Sequence, residues 1–294
     1  MGETRKPTVG FIGTGVMGAS MAGHLMDAGH PLVVHNRTRQ RALPLIERGA
    51  RWAASAGEAA SLSDVVITIV GYPADVEEVY LGQGGIIESA RDGALLIDMT
   101  TSTPSLAMRV AESATARGLQ SLDAPVSGGD VGAREARLTI MVGGEPAAFL
   151  RAEPLFAAMG RRWTHAGGPG AGQHTKMANQ IAIAGAMVGT MEAFAYARAA
   201  GLDLGTTLGA IGAGAAGSFS MTTYMPRVIA DDFAAGFFVK HFLKDLRIAL
   251  DEAGKLGLDL PGLALAASLY QRLAETDGGA ELGTQALWLL YGQA

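Results

Sequence analysis

Residues 9–29 read VGFIGTGVMGASMAGHLMDAG: an apolar run, glycines at 13, 15 and 18, then a helix-like stretch that stops at Gly29. No other segment constrains the fold as tightly. Glycines at this spacing carry little weight alone in a chain that has 41 of them. Here they stand between a strand and a helix, and a second apolar run, PLVVHN, follows at once. That context makes them a strand–turn–helix–strand unit with a dinucleotide-binding fingerprint. Gly13 permits the tight turn, Gly15 lets backbone approach a pyrophosphate, and Gly18 lets helix pack on strand. Peptide N–H groups and the dipole at the helix start favour an anion there. The loop Gly13, Thr14, Gly15, Val16, Met17 and Gly18 is the expected cofactor cradle.

To about residue 165, short apolar runs alternate with helical stretches. Strands are expected at TVGFIG, PLVVHN, DVVITIV, ALLIDMT, GLQSLDAPV, LTIMVGG and RWTHAG, and helices near 16–28, 38–48, 74–81, 104–117 and 146–159. Several runs lack period-two alternation, as strands buried on both faces do. The pattern predicts an α/β, doubly wound parallel sheet: a Rossmann domain over 1–165. After Gly170 the strand signal disappears. GQHTKMANQIAIAGAMVGTMEAFAYARAAGL predicts a long interdomain helix from about 170 to Gly201, with further helices near 203–215, 237–256, 261–275 and 280–290. This is an all-α C-terminal domain over 166–294.

Composition narrows the function classes. Of 294 residues, 49% are hydrophobic and 17% charged, a globular balance. The longest apolar stretch is interrupted by Glu192 and Arg198, so no membrane span is expected. The N-terminal segment lacks a signal-peptide apolar region, and a cytoplasmic location is expected. There is no cysteine, which excludes disulfides and thiol chemistry. The six histidines have no ligand spacing, so no metal is expected. A net charge of −5 without a basic run argues against nucleic acid. The apolar C-terminal helices suit a homodimer or homotetramer.

The end of the second strand bears on cofactor choice. An acidic residue there would bond an NAD ribose; this chain has His35, Asn36, Arg37 and Thr38. No carboxylate is present to repel a phosphate. Arg37 can stack on adenine, pair with a 2′-phosphate or cap a surface turn, and Asn36 and Thr38 can donate hydrogen bonds. NADP(H) is expected in preference to NAD(H). Two further strand ends, Val70-Gly71-Tyr72 and Thr100-Thr101-Ser102, point to the same crevice. Thr101 reaches the cofactor, caps the next helix, or does both.

Chemistry is expected at three stretches. In LDAPVSGGDVGA, Ser127, Gly128 and Gly129 offer a hydroxyl and two peptide N–H groups, either a carboxylate nest or a plain turn. In GAGQHTKMANQ, Lys176, Asn179 and Gln180 share one helical face flanked by apolar residues. A buried lysine has a lowered pKa, which suits a proton donor and acceptor, whereas a surface lysine has no such role. His174 falls off that face. On a third helix Lys240 and Lys244 are i, i+4, so an anion is expected to offset them: substrate, cofactor or Asp245.

Taken together these stretches resemble the β-hydroxyacid dehydrogenase family, which includes 3-hydroxyisobutyrate dehydrogenase, tartronate semialdehyde reductase and the glyoxylate/succinic semialdehyde reductases. The likeness spans nearly the whole chain, with four motifs in order: FIGTGVMGASMAGHL, DAPVSGG, GAGQHTKMANQ and LKDLRIA. It implies reversible oxidation of a small β-hydroxyacid to its semialdehyde or keto acid, in a cleft between the two domains. Lys176 is implied as the catalytic lysine. Ser127, Gly128, Gly129, Asn179 and Gln180 are implied as substrate contacts, and Lys244 and Asp245 as lining the closed site. Two positions depart from the family pattern: His24 stands where Asn is usual, and Gln180 where many members have a second Asn. A decarboxylating relative of 6-phosphogluconate dehydrogenase fits less well, because KMANQ lacks that family's Lys-Met-Val-His-Asn-Gly. A non-catalytic NADPH-binding module remains as the reading from another class.

Overall fold

The computed structural model describes residues 5–291, so the first four residues of the N-terminal segment read above lie outside it. The chain divides into two compact units between Lys176 and Met177. The expected boundary at 165/166 falls inside the last strand of the first unit.

In the first unit, strands and helices follow in chain order: β1 (Val9–Ile12), α1 (Gly18–Asp27), β2 (Leu32–His35), α2 (Leu43–Glu47), β3 (Arg51–Trp52) and α3 (Ala56–Ser61). Next come β4 (Val65–Thr68), α4 (Pro73–Leu81), α5 (Ile86–Ser89), β5 (Leu95–Asp98), α6 (Pro104–Ala116) and β6 (Gln120–Asp123). The unit continues with β7 (Val126–Ser127), α7 (Gly129–Arg134), β8 (Leu138–Gly144), α8 (Pro146–Met159) and β9 (Gly160–Gly167), then the start of α9 (Ala171–Ala199). All seven expected strands are present. Those missed, β3 and the helices α3, α5 and α7, are too short for periodicity to register.

The strand order is β3-β2-β1-β4-β5-β6-β8-β7, with β9 also paired to β8. From β3 to β6 every pairing is parallel. The sheet is parallel-dominated, as the doubly wound reading expects, with antiparallel pairing where β8 meets β6 and β7. The expected strand GLQSLDAPV is split at Ala124–Pro125, yet its register on β8 is unbroken: Leu122 faces Gly144 and Ser127 faces Thr139. Successive residues go to opposite faces. Val9, Phe11, Val65, Ile67, Leu95 and Ile97 join one apolar core, while Ile12, Val33, Val66 and Leu96 join another. A sheet buried on both faces has no room for polar alternation, which is why its strands read as continuous apolar runs.

The second unit is helical: most of α9, then α10 (Leu204–Ile211), α11 (Met225–Ile229), α12 (Val239–Lys255) and α13 (Pro261–Ala274). A π-helical turn over Ser220–Tyr224, not expected from the sequence, leads into α11. The helix expected at 280–290 is corrected to two 3₁₀ segments, Gly279–Glu281 and Thr284–Leu290. There Gly283 N–H and Thr284 N–H donate to Phe233 O and Phe237 O, which breaks any continuous helical ladder. Met187, Met191, Phe194, Phe242, Leu246, Tyr270 and Leu287 fill the core of this unit. Among the described residues, no helix is long and apolar enough to cross a membrane.

Candidate active site

The glycine loop connects β1 to α1. Gly13 has φ +98°, and a Cβ there would lie 2.1 Å from Ile69 O. A Cβ on Gly18 would lie 1.9 Å from Gly13 O. Both glycines are therefore required by the loop itself. Gly15 differs: a Cβ there meets nothing within 4 Å, and its φ is not left-handed. The protein keeps open space over Gly15, in the turn that leads into α1, where Gly15 O accepts from Ala19 N–H. Val16 beside it is exposed and Thr14 is buried. Open backbone at a helix N-terminus fits a cofactor pyrophosphate.

The end of β2 lies next to this loop. Asn36 accepts at Oδ1 from Thr14 N–H at 3.0 Å and donates from Nδ2 to Thr38 O at 2.9 Å. Its amide thus braces the loop, a use the sequence did not reveal. Arg37 extends into solvent with its side chain 90% exposed, and its Nη1 lies 3.6 Å from Asp75 Oδ1. The end of β2 itself carries no carboxylate, but α4 brings one to Arg37, which the sequence did not reveal. Tyr72 N–H donates to Asp75 Oδ2 at 2.9 Å, and Val70 N–H donates to Thr100 Oγ1 at 3.0 Å. Gly71 lies between these anchored residues. Thr101 is half-buried and is not the cap of α6; that role falls to Thr103, whose Oγ1 accepts from Leu106 N–H. Behind these loops Tyr80, Thr68 and Asp98 form a buried hydrogen-bond chain, and burial pushes the Tyr80 hydroxyl well above its usual pKa.

The start of α9 docks on the ends of β5 and β6. Asp123, 5% exposed, accepts from Gly170 N–H at Oδ1 and from Gln173 N–H at Oδ2, both at 2.8 Å. Burial pushes the Asp123 carboxyl up to about 6, against the opposing pull of these backbone donors. Gln173, fully buried, accepts from Ser102 N–H and donates to Thr100 O. Neither Asp123 nor Gln173 had a role in the sequence reading, and their partners lie far away in sequence. These bonds fix the first turn of α9, and Lys176 follows on it. Lys176 is 6% exposed and donates from Nζ to Val126 O at 2.8 Å. The Lys176 amino group is thereby held at β7, one residue from Ser127. Gly128 (φ +134°) and Gly129 (φ +63°) continue the chain in conformations that favour glycine. α7 follows, and His24 Nε2 lies 3.0 Å from both Ala133 O and Arg134 O near its end. His174 is exposed and off the Lys176 face, as expected.

In the second unit, Gln180 and Asp245 are each 1% exposed, and Gln180 Nε2 donates to Asp245 Oδ2 at 2.7 Å. Asn179 Nδ2 donates to Gln180 Oε1 at 2.7 Å. Lys244 Nζ lies 3.2 Å from Asp245 Oδ1. Asn179, Gln180, Asp245 and Lys244 thus form one linked chain between α9 and α12. Lys240 pairs with Glu281, so the two aligned lysines have separate acidic partners. Among the described residues, no group of three or more His, Cys, Asp or Glu is placed to hold a metal ion.

Comparison with known proteins gives the family. Residues 8–168 match the NAD binding domain of 6-phosphogluconate dehydrogenase, and residues 170–291 the NAD-binding domain of NADP-dependent 3-hydroxyisobutyrate dehydrogenase. An uncharacterised oxidoreductase of Bacillus subtilis is 52% identical over 97% of this chain and 99% of its own. The 2-hydroxy-3-oxopropionate reductase of Escherichia coli is 38% identical over 95% of each chain. The structure of 3-hydroxyisobutyrate dehydrogenase from Mycobacterium tuberculosis with L-serine superposes with a TM-score of 0.90 at 31% identity, covering 98% of this chain and 100% of that one. Both family matches and these relatives agree: the chain belongs to the β-hydroxyacid dehydrogenase family of NAD(P)-dependent oxidoreductases acting on the CH–OH group.

Proposed function

We propose that this protein is an NADP(H)-dependent oxidoreductase that interconverts a small β-hydroxyacid and its semialdehyde or keto acid. The substrate class is that of 3-hydroxyisobutyrate, tartronate semialdehyde, glyoxylate or succinic semialdehyde. The bond from Lys176 Nζ to Val126 O carries this reading, because it keeps the buried amino group beside the Ser127-Gly128-Gly129 turn. Lys176 gives a proton to the carbonyl oxygen in reduction and takes it from the hydroxyl in oxidation. The Ser127 hydroxyl and the peptide N–H groups of Gly128 and Gly129 hold the substrate carboxylate. Asn179 and Gln180 orient the substrate, and Asp245 and Lys244 support them. The Gly13–Gly18 loop, with Val70, Gly71, Tyr72 and Thr101, binds the cofactor, and Arg37 takes its 2′-phosphate. When bound, the nicotinamide supplies or accepts the hydride.

The test is turnover of the purified chain with glyoxylate, succinic semialdehyde and methylmalonate semialdehyde, using NADPH and NADH in parallel. A semialdehyde whose carboxylate is replaced by an amide should lose most of its kcat/KM. Equal turnover of the two forms would remove the carboxylate nest from the mechanism. Equal or better kinetics with NADH would reject the NADP(H) preference.

A further inference from the structure

We infer that Asp75 sets how strongly this protein discriminates between the phosphorylated and unphosphorylated nicotinamide cofactors, by standing against Arg37 beside the glycine loop. The inference rests on the reading of Arg37 as the 2′-phosphate contact. Arg37 follows β2, the glycine loop follows β1, and Asp75 is the third residue of α4, after β4. Because β1 lies between β2 and β4 in the sheet, the Arg37–Asp75 pair joins the loops on either side of the cofactor cradle.

The two partners differ in freedom. Asp75 is anchored: its Oδ2 accepts from Tyr72 N–H at 2.9 Å, and its side chain is 26% exposed. Arg37 is a solvent-exposed arm, and its Nη1 comes within 3.6 Å of the other carboxylate oxygen, Oδ1. A 2′-phosphate that takes Arg37 shares the guanidinium with this carboxylate and bears its repulsion at short range. A 2′-hydroxyl can instead donate a hydrogen bond to Oδ1. That is the service an acid at the end of the second strand performs in NAD-binding folds. Here the acid comes from a different loop, so one carboxylate weakens the phosphorylated cofactor and accommodates the other.

The test is equilibrium binding of NADPH and NADH to the full chain by fluorescence titration, with the adenosine bisphosphate carrying the 2′-phosphate and AMP as probes that lack nicotinamide. Asp75→Asn keeps an acceptor for Tyr72 N–H and removes the charge. Asp75→Ser is the second variant, and Arg37→Ala tests the underlying reading. Asp75→Asn should tighten NADPH about three- to tenfold and leave NADH unchanged or weaker, and the two adenosine probes should follow the same split. An NADPH-to-NADH affinity ratio within about twofold of the parent in both Asp75 variants, with a lowered ratio in Arg37→Ala, would overturn the role of Asp75 alone. A ratio unchanged in Arg37→Ala would overturn the reading of Arg37, and this inference with it.

Discussion

Two glycines of one fingerprint should fail in opposite ways. In Gly18→Ala the new methyl would lie 1.9 Å from Gly13 O and 2.9 Å from Ile69 Cγ2. Relief requires shifting the loop or the start of α1, at about 3 kcal/mol or more. In a chain of this size that lowers Tm by roughly 6 °C or more. In Gly15→Ala the methyl meets nothing within 4 Å and the backbone suits any residue. Stability should hold or rise by about 0.4–1 kcal/mol, because alanine restricts the unfolded chain. The same methyl, however, would occupy the space proposed above for the pyrophosphate. Losing one hydrogen bond to a charged group costs about 1.5–3 kcal/mol, a ten- to hundredfold rise in Kd, roughly. Scanning calorimetry and NADPH fluorescence titration on the two variants separate the effects. Parental NADPH affinity in Gly15→Ala would show that the phosphates bind elsewhere. A Tm loss there equal to that of Gly18→Ala would show that the open space belongs to the fold.

Three further outcomes follow from the site. Lys176→Met should cut single-turnover hydride transfer by about 10²–10⁴ with cofactor affinity kept, and Lys176→Arg should do the same because guanidinium holds its proton; near-normal transfer in Lys176→Met would assign the proton to another group, Lys244 first. The Asp123 carboxyl ionises near 3.8 unfolded and about 6 folded. Between those values the native state binds the extra proton, so its contribution is full below pH 4 and is lost as pH rises to about 6, roughly 3 kcal/mol in all. Denaturant titrations from pH 4 to 7 should show this slope in the parent and not in Asp123→Asn; equal slopes would reject the assignment. Gln180→Leu leaves the buried Asp245 carboxylate short of a donor and should cost about 1–3 kcal/mol of stability, with part of the loss recovered when Asp245→Leu is added.

What the sequence determined is what local physics encodes. A glycine turn, apolar runs of strand length and a shift to helical periodicity after Gly170 each depend on neighbours within a few residues. They sufficed for the α/β class, the glycine turn between β1 and α1, and the burial of Lys176 on its helix face. What tertiary structure decided depends on groups distant in the chain. Asp123 caps α9 through donors 47 and 50 residues away, and Lys176 finds its acceptor at Val126, 50 residues back. Asp75 meets Arg37 because the segments after β2 and β4 flank the loop that follows β1, and no local pattern marks such a pair. The antiparallel β8 and the 3₁₀ segments near 280–290 likewise follow from where their backbone donors find partners. Chain propensity does not encode that choice, because every buried N–H must be satisfied by whatever acceptor the fold brings to it.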